Sequence, residues 1–164
     1  MPDYNPNIFQ RTNMKLASTG PIAKIFSYTF HHLDRTVLSL SNDRYSAISL
    51  LSGLPLVTLT ATGAKSGQPR EVPLIGTPVD DEVILIASNW GGKKHPAWYY
   101  NLKATPACTL THDGKTDPYI GREVFGDEKE SYWQKAVAIY PGYEAYKSRT
   151  DGREIPVFVL KPDN

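Results

Sequence analysis

The order of strand and helix patterns after residue 54 constrains the fold of this chain more than any other feature. Short β-branched runs at 56–61, 107–111 and 155–160 are bounded by glycine, proline or acidic turns, as strands usually are. Helical patterns lie between some of these runs, at 97–104 and after 127, but strands and helices do not alternate regularly. This order argues against a doubly wound parallel sheet and predicts an α+β barrel.

Two segments inside this region make specific structural predictions. The run Val83-Ile84-Leu85-Ile86-Ala87 is wholly apolar, which predicts a strand buried on both faces. Asp127 is followed three residues later by Glu130, the arrangement of a capping box, and this predicts Asp127 as the N-cap of a helix. We expect Trp133 and Tyr140 on the apolar face of that helix.

The first 53 residues have a different pattern. Residues 1–20 are polar and proline-broken, which suggests an arm, while apolar residues recur at helical spacing in 22–33 and 43–51. We expect residues 1–53 to form an arm and helices that pack on the barrel of residues 54–164, within one globular domain. The apolar face of the first helix could also contact a membrane surface, but docking on the barrel is the favoured interpretation.

The composition argues against several classes of function. A net charge of +1 over 164 residues does not fit a nucleic-acid binder, which usually carries a clear basic excess. The four histidines lack paired zinc-site spacing, so no metal is expected. GxGxxG and GxSxG motifs are absent, which argues against a Rossmann nicotinamide site and an α/β-hydrolase. The only cysteine, Cys108, is expected to be buried and inert, and without a signal-peptide pattern we expect a cytoplasmic location.

Two loops combine groups that attract anions. The segment 62–70, TGAKSGQPR, brings Lys65 and Arg70 together with two glycines and two hydroxyls, although an ordinary hairpin with solvated cations is the alternative. The second loop, around Gly91-Gly92, leads into a helix N-terminus and carries Lys93 and Lys94. Both loops are therefore candidates for binding phosphate or carboxylate.

Three tyrosines, Tyr140, Tyr143 and Tyr146, recur at intervals of three residues, so on a helical turn they would share a face. Such a stripe usually packs against the core with its hydroxyls at the rim. The functional alternative is an aromatic wall that lines a flat ligand and donates hydrogen bonds.

These segments, in this order, resemble the deazaflavin-dependent nitroreductase family. The matching motifs are TATGAKSGQPR at 60–70, VPL at 72–74, ASN at 87–89, KHPAWYYNL at 94–102, YPGYEAY at 140–146 and REIPV at 153–157. The resemblance implies a split β-barrel of about six mostly antiparallel strands with flanking helices and an N-terminal helical extension. It also implies coenzyme F420, a deazaflavin with an anionic phospholactyl-oligoglutamate tail, as the cofactor.

The resemblance assigns roles to particular residues. Lys65, Ser66 and Arg70 would hold the anionic tail, and Tyr143, or a water that it holds, would supply the proton to the product. The implied cofactor contacts are Lys65, Ser66, Arg70, Pro73, Leu74, Ser88, Asn89, Ala97, Trp98, Asn101 and Tyr143. The implied substrate contacts are Ile75, Tyr140 and Tyr146.

The sequence departs from the family's pattern in three places. Ile75 stands where some members have a tyrosine that faces the substrate, and Ala64 stands where arginine is common. Asn89-Trp90 replaces the lysine-glycine pair of the nitroimidazole-reducing members. The frame of cofactor-binding residues is therefore retained, whereas these departures leave the choice of substrate open.

The resemblance implies an F420-dependent reductase that transfers a hydride from reduced deazaflavin to a flat conjugated acceptor, such as a quinone or a nitroaromatic. Two alternatives stay open at this point. One is an FMN-dependent reductase on the same fold, and the other is a non-catalytic protein that binds or carries F420. Split barrels often pair, so a homodimer is compatible with the resemblance, but the sequence specifies no interface.

Overall fold

The computed structural model describes residues 54–163. The predicted helices at 22–33 and 43–51, and with them the proposed role of residues 1–53, lie outside the described residues. The elements are β1 (Leu56–Thr62), β2 (Pro69–Ile75), β3 (Thr77–Val79), β4 (Glu82–Ile86), a 3₁₀ turn (Asn89–Gly91), α1 (Ala97–Ala104), β5 (Ala107–His112), β6 (Lys115–Val124), α2 (Gly126–Ile139), α3 (Gly142–Lys147) and β7 (Val157–Pro162).

A single residue, Gly76, joins the two edge strands of a curled sheet. The strands lie in the order β2-β1-β5-β6-β7-β4-β3, and every neighbouring pair is antiparallel. Strands β2 and β3 are at opposite ends of this order, yet only Gly76 separates them in sequence. The sheet must therefore curl until its two edges approach each other. A Cβ atom on Gly76 would lie 2.8 Å from Val57 Cγ1 and 3.1 Å from Val83 Cγ1, so the joint requires glycine.

Strands β4 and β7 separate two hydrophobic clusters. Because side chains alternate along a strand, Val83 and Leu85 point into the barrel, while Ile84 and Ile86 point to the outer face. The inner cluster also contains Trp98 and Leu102 of α1, Cys108 and Leu110 of β5, and Phe158 and Leu160 of β7. The outer cluster contains Trp133 and Ala136 of α2, Tyr143 and Tyr146 of α3, and Val157 and Val159 of β7. The predicted strand buried on both faces is confirmed.

The expected α+β split barrel is confirmed, with two differences in detail. Within residues 54–163 the sheet has seven strands where about six were expected. The extra strand is β3, whose three residues include Pro78. In addition, α2 begins at Gly126 with Phe125 as its N-cap and without a side-chain cap, so the prediction of Asp127 as the N-cap was wrong. Among residues 54–163, no helix is long and apolar enough to cross a membrane.

Candidate active site

The hairpin between β1 and β2 holds the first group of predicted ligand-binding residues, and we call residues 63–70 the cation loop. Its backbone is closed by Gly63 N donating to Gln68 O at 2.9 Å and by Gly67 N donating to Gly63 O at 2.8 Å. The Ser66 hydroxyl accepts hydrogen bonds from Gln68 N and from Arg70 Nη2, both at 3.3 Å. A Cβ on Gly63 would lie 2.6 Å from Ser66 Oγ, so this compact loop requires glycine at position 63.

The cations of this loop have no acidic partners, in contrast to most others. Within residues 54–163, Lys65, Arg70 and Lys94 are exposed and form no ion pair with a carboxylate. The cations that do form such pairs are Lys93, Lys103, Lys115, Arg122, Lys129, Lys147 and Lys161. An exposed loop with unpaired positive charge is what an anionic ligand needs, because binding does not first have to break an ion pair.

Asn101 of α1 fixes the cation loop to the rest of the site. Its side-chain Oδ1 accepts a hydrogen bond of 3.0 Å from Ala64 N. The side chain is buried, and its neighbour Trp98 packs edge-on against Phe158 in the inner cluster, with ring centroids 5.9 Å apart. Both residues were predicted as cofactor contacts. In this structure they also set the position of the loop relative to the barrel.

The segment after β4, residues 87–96, is the second predicted anion-attracting loop, and we call it the glycine loop. Ser88 is buried, whereas Asn89 is exposed and donates from Nδ2 to Lys94 O at 2.8 Å. Lys93 forms an ion pair with Asp151 at 2.6 Å, so of the two lysines only Lys94 keeps an unpaired charge. The loop leads directly into α1 at Ala97, which is exposed.

Arg153 clamps the glycine loop from the segment that precedes β7. Its guanidinium donates to three backbone carbonyls of the loop: Ser88 O at 2.7 Å, Gly92 O at 3.0 Å and Ala87 O at 3.3 Å. It also lies 3.0 Å from His95 Nδ1. Since arginine only donates, Nδ1 of His95 must accept, and the proton of the neutral ring is on Nε2. Partial burial, followed by the charge of Arg153, lowers the pKa of His95, which keeps this ring neutral.

The three predicted tyrosines form a buried group, which we call the tyrosine cluster. The rings of Tyr140 and Tyr143 meet edge to face at 5.1 Å, and the hydroxyls of Tyr140 and Tyr146 are hydrogen-bonded at 3.0 Å. Burial raises the pKa of all three phenols, and for Tyr143 and Tyr146 it does so strongly. They are therefore neutral at physiological pH and can donate hydrogen bonds, but they cannot act as bases.

The predicted substrate residues Ile75, Tyr140 and Tyr146 all belong to the outer cluster or pack against it. The predicted cofactor contacts Pro73 and Leu74 lie on opposite faces of β2. Ile75 packs against the outer cluster that contains all three tyrosines. Leu74 packs against the inner cluster, on the opposite face of the strand. By the alternation of side chains, Pro73 shares a face with Ile75 and not with Leu74. Of this pair, only Pro73 thus points to the side of the tyrosine cluster.

Two residues of the site were not predicted. Arg153 was noted only within the REIPV motif and was given no role, and Trp90 was absent from the predicted contacts. The Trp90 ring lies edge-on to Tyr146 at 6.4 Å, which links the glycine loop to the tyrosine cluster. The backbone of Gly91 also lies close to α3 and the residues after it, since a Cβ there would be 3.3 Å from Tyr146 O and 2.9 Å from Arg149 Cβ. The cation loop, glycine loop and tyrosine cluster are therefore connected through α1, Arg153 and Trp90.

This arrangement fits a flat ligand with a negatively charged tail. Unpaired cations and a hydroxyl on one loop suit phosphate and carboxylate groups, and a neutral aromatic group suits conjugated rings. A curled antiparallel barrel that carries both features defines a class of protein: split-barrel oxidoreductases that use a flavin or deazaflavin.

The chain belongs to the F420H(2)-dependent quinone reductase family, whose model matches residues 37–162. An F420H(2)-dependent quinone reductase of Mycobacterium tuberculosis is 34% identical over 109 residues, which are 65% of this chain and 72% of that protein. A solved F420-H2 dependent reductase is 42% identical, with a TM-score of 0.60 over 65% of this chain and 94% of that one. Another solved structure, described as a domain-swapped dimer, is 36% identical, with a TM-score of 0.63 over 77% of this chain and 95% of that one.

Membership in this family confirms the predicted family resemblance, enzyme class and cofactor. The chain is an F420H2-dependent oxidoreductase, and coenzyme F420 is its cofactor. The alternatives of an FMN-dependent reductase and of a non-catalytic carrier are not retained.

Proposed function

We propose that this chain reduces a quinone with F420H2, holding the cofactor's anionic tail at Lys65 and Arg70 and the acceptor beside Ile75 and the tyrosine cluster. The observation that carries the proposal is the unpaired positive charge of the cation loop, in a chain where most described cations are ion-paired. Lys65 supplies a mobile point charge, while the planar fork of Arg70 suits two oxygens of one phosphate or carboxylate.

Reduced F420, when bound, supplies the hydride from its deazaflavin ring. The residues of the chain contribute orientation and hydrogen bonding. Ser88, whose carbonyl accepts from Arg153, and Asn89, which donates to Lys94 O, lie on the glycine loop, and we assign both to the headgroup. Pro73, Trp98 and Asn101 complete the cofactor side in this proposal. A fixed position for both reactants accounts for much of the rate enhancement in a transfer of this kind.

Tyr143 is our candidate for the hydrogen-bond donor to the reduced quinone oxygen, with the proton itself supplied by a water molecule that it holds. It is 4% exposed, and its hydroxyl makes no hydrogen bond to another residue in the described part of the chain. Its strongly raised pKa keeps the phenol protonated. The hydroxyl can therefore donate a hydrogen bond to a carbonyl oxygen that becomes negative during reduction, either directly or through a water molecule.

The first test is a fluorescence titration of the protein with F420, with FMN for comparison. Lys65→Ala and Arg70→Ala are each expected to weaken F420 binding by about tenfold or more, as for the loss of one charge-assisted contact. Lys115→Ala is a matched control, because it removes an exposed lysine at the far end of the barrel. The pairing of Thr58 with Thr111 places the β5–β6 turn near Leu56, away from the cation loop.

Wild-type protein that binds F420 without reducing menadione, a naphthoquinone, would contradict the quinone proposal. Equal weakening by the Lys65, Arg70 and Lys115 substitutions would instead contradict the assignment of the tail to the cation loop. Menadione reduction is followed by the loss of F420H2 absorbance under steady-state conditions.

We also propose that the chain forms a homodimer, because a similar structure is described as a domain-swapped dimer. Analytical ultracentrifugation at micromolar concentration should then give a mass near twice 18.3 kDa, and a monomer mass would contradict the proposal.

A cytoplasmic location remains a prediction, as does any peripheral membrane contact. We expect the chain to stay in the supernatant when it is sedimented with lipid vesicles. Co-sedimentation of the full chain, but not of a chain without residues 1–40, would show a membrane contact through the N-terminal segment.

A further inference from the structure

Three consecutive residues of the glycine loop have left-handed backbone conformations. The φ angles are 49° at Asn89, 56° at Trp90 and 77° at Gly91. Glycine adopts this conformation freely, and asparagine tolerates it better than most residues because its short polar side chain can bond locally. Tryptophan has neither advantage. Position 90 therefore carries a bulky aromatic side chain on a backbone that glycine would accommodate with less strain.

The turn is held by contacts that do not involve the Trp90 side chain. Gly91 N donates to Ser88 O at 3.0 Å, and Gly92 N donates to Asn89 O at 2.8 Å. Arg153 fixes the carbonyls of Ser88 and Gly92, which lie on either side of the strained residues. The backbone conformation at position 90 is consequently imposed by its surroundings, and the identity of the side chain is free to serve another purpose.

The Trp90 ring is only partly used in packing. It is 41% exposed, and its ring contact within residues 54–163 is an edge-on approach to Tyr146 at 6.4 Å and 63°. Tyr146 itself is almost fully buried, and its hydroxyl is hydrogen-bonded to that of Tyr140. Trp90 therefore lies on the outer side of the tyrosine cluster, with much of its surface available. Incomplete burial on a strained backbone is a poor arrangement for stability, and this points to a role in ligand binding.

We infer that Trp90 is a specificity-determining residue for the acceptor, and that its ring packs against a flat conjugated acceptor seated beside the tyrosine cluster. This inference rests on the proposed quinone reduction. The contact requires an extended aromatic surface on the acceptor, because ring stacking gains with the overlapping area. A two-ring quinone should depend on Trp90 more than a one-ring quinone does.

Three substitutions separate the ring from the backbone. Trp90→Phe keeps an aromatic ring, Trp90→Ala removes the ring and keeps the left-handed strain, and Trp90→Gly removes both. Trp90→Ala and Trp90→Gly should raise KM for menadione by about fivefold to tenfold, with kcat and the F420 Kd within about twofold of wild type. KM for 1,4-benzoquinone, which has one ring, should rise less. Trp90→Phe should retain most of the affinity for menadione.

Stability supplies a readout that does not depend on activity. Trp90→Gly should have a Tm about 3–6 °C above that of Trp90→Ala, since both lose the ring but only glycine relieves the strain. Direct binding supplies another, because the remaining tryptophans Trp98 and Trp133 are buried. Menadione should quench the emission of the wild-type protein, and Trp90→Phe should lose most of this quenching. Phe125→Ala is the control, since Phe125 is 66% exposed and precedes the first turn of α2.

The outcomes distinguish this inference from the proposed function. If wild-type protein does not reduce menadione with F420H2, the proposed function fails, whatever the Trp90 variants do. If wild type is active and Trp90→Ala and Trp90→Gly keep its KM for both quinones, the inference about Trp90 is overturned. A matching loss of F420 affinity would also overturn it, because Trp90 would then be a cofactor contact.

Discussion

At the residue scale, Arg153 is the side chain whose replacement should disturb the glycine loop most. It donates to the carbonyls of Ala87, Ser88 and Gly92 and to His95 Nδ1 from one planar group. Lysine has one ammonium on a flexible stem and cannot reach these acceptors together. We expect Arg153→Lys to lower the free energy of unfolding by about 3 kcal/mol, because carbonyls are left without donors. F420 binding should weaken as well, since Ser88 and Asn89 lie on the released loop.

Urea unfolding and F420 titration measure these two effects. The matched control is Arg122→Lys, which changes an exposed arginine that donates twice to Glu128; it should cost less than about 1 kcal/mol and leave F420 binding unchanged. Nitrogen NMR of His95 adds a local readout, because loss of the Arg153 bond should remove the signature of an accepting Nδ1. If His95 Nδ1 still gave the signal of a hydrogen-bond acceptor in Arg153→Lys, the proposed role of Arg153 in holding the loop would be contradicted.

The same residue shows what sequence could predict at this scale. Lys65, Ser66 and Arg70 lie within one short loop, so a local motif was sufficient to nominate them as ligands of an anion. Arg153 acts on residues 61 to 66 positions earlier in the chain, and no local pattern indicates such partners. For Trp90 the missing information was the left-handed backbone conformation. The following Gly91-Gly92 indicated only that this segment is a loop.

At the element scale, the junction of α2 and α3 determines the shape of the tyrosine cluster. Gly142 begins α3 directly against the ring of Tyr140, and a Cβ there would lie 2.3 Å from Tyr140 Cζ. Gly142→Ala must therefore displace this ring and break its 3.0 Å hydrogen bond to Tyr146. We expect a loss of about 2–3 kcal/mol in the free energy of unfolding, as for overpacking of a core, and a higher KM for menadione.

Gly121→Ala is the comparison for this prediction. Gly121 is also buried, but a Cβ there would come no closer than 3.5 Å to its neighbours. We expect its stability to change by less than about 1 kcal/mol. Chemical denaturation of both variants decides the matter. Similar losses in the two would mean that the Tyr140 contact is not what makes position 142 sensitive.

The elements were predicted where side-chain patterns are strong. The run 83–87 indicated a strand buried on both faces, and the structure has one there. Strand β3 has only three residues, too few for a pattern of alternation. The Asp127 cap failed for another reason: the chain enters α2 through Gly126 at a φ of 56°, and the helix starts two residues earlier than the cap predicts. Turn geometry of this kind depends on how the preceding strand ends.

At the scale of the whole molecule, the split barrel was predicted as a class, but its closure was not. Nothing in the sequence around Gly76 distinguishes a glycine that joins two edge strands from a glycine in an ordinary turn. The strand order shows that Gly76 links the two edges of the sheet, and this link creates the inner and outer clusters. Both clusters bury groups that can ionise, Cys108 in the inner cluster and the three tyrosines in the outer one.

Because of these buried groups, the free energy of unfolding should fall at alkaline pH. Burial raises the pKa of Cys108 from 9.0 to about 11, and it raises the pKa of Tyr140, Tyr143 and Tyr146 above their usual value of 10.0. Above pH 9 the unfolded chain therefore loses protons that the folded chain still holds, and unfolding becomes more favourable as pH rises. The contribution of Cys108 is complete below about pH 9 and is lost by about pH 11. It amounts to at most ~3 kcal/mol, with the tyrosines adding to the fall above pH 10.

Urea unfolding of the wild type and of Cys108→Ala at pH 7, 9, 10 and 11 separates these contributions. The variant should be less stable at pH 7, because it loses a buried side chain, but its stability should fall less steeply between pH 9 and 11. At pH 7 the native thiol should also resist a thiol reagent until the protein unfolds, because burial suppresses the reactive thiolate. Parallel pH curves for the two proteins, or rapid labelling of native Cys108 at pH 7, would show that the inner cluster does not shield this group. The barrel closure at Gly76 would then protect its interior less than the geometry indicates.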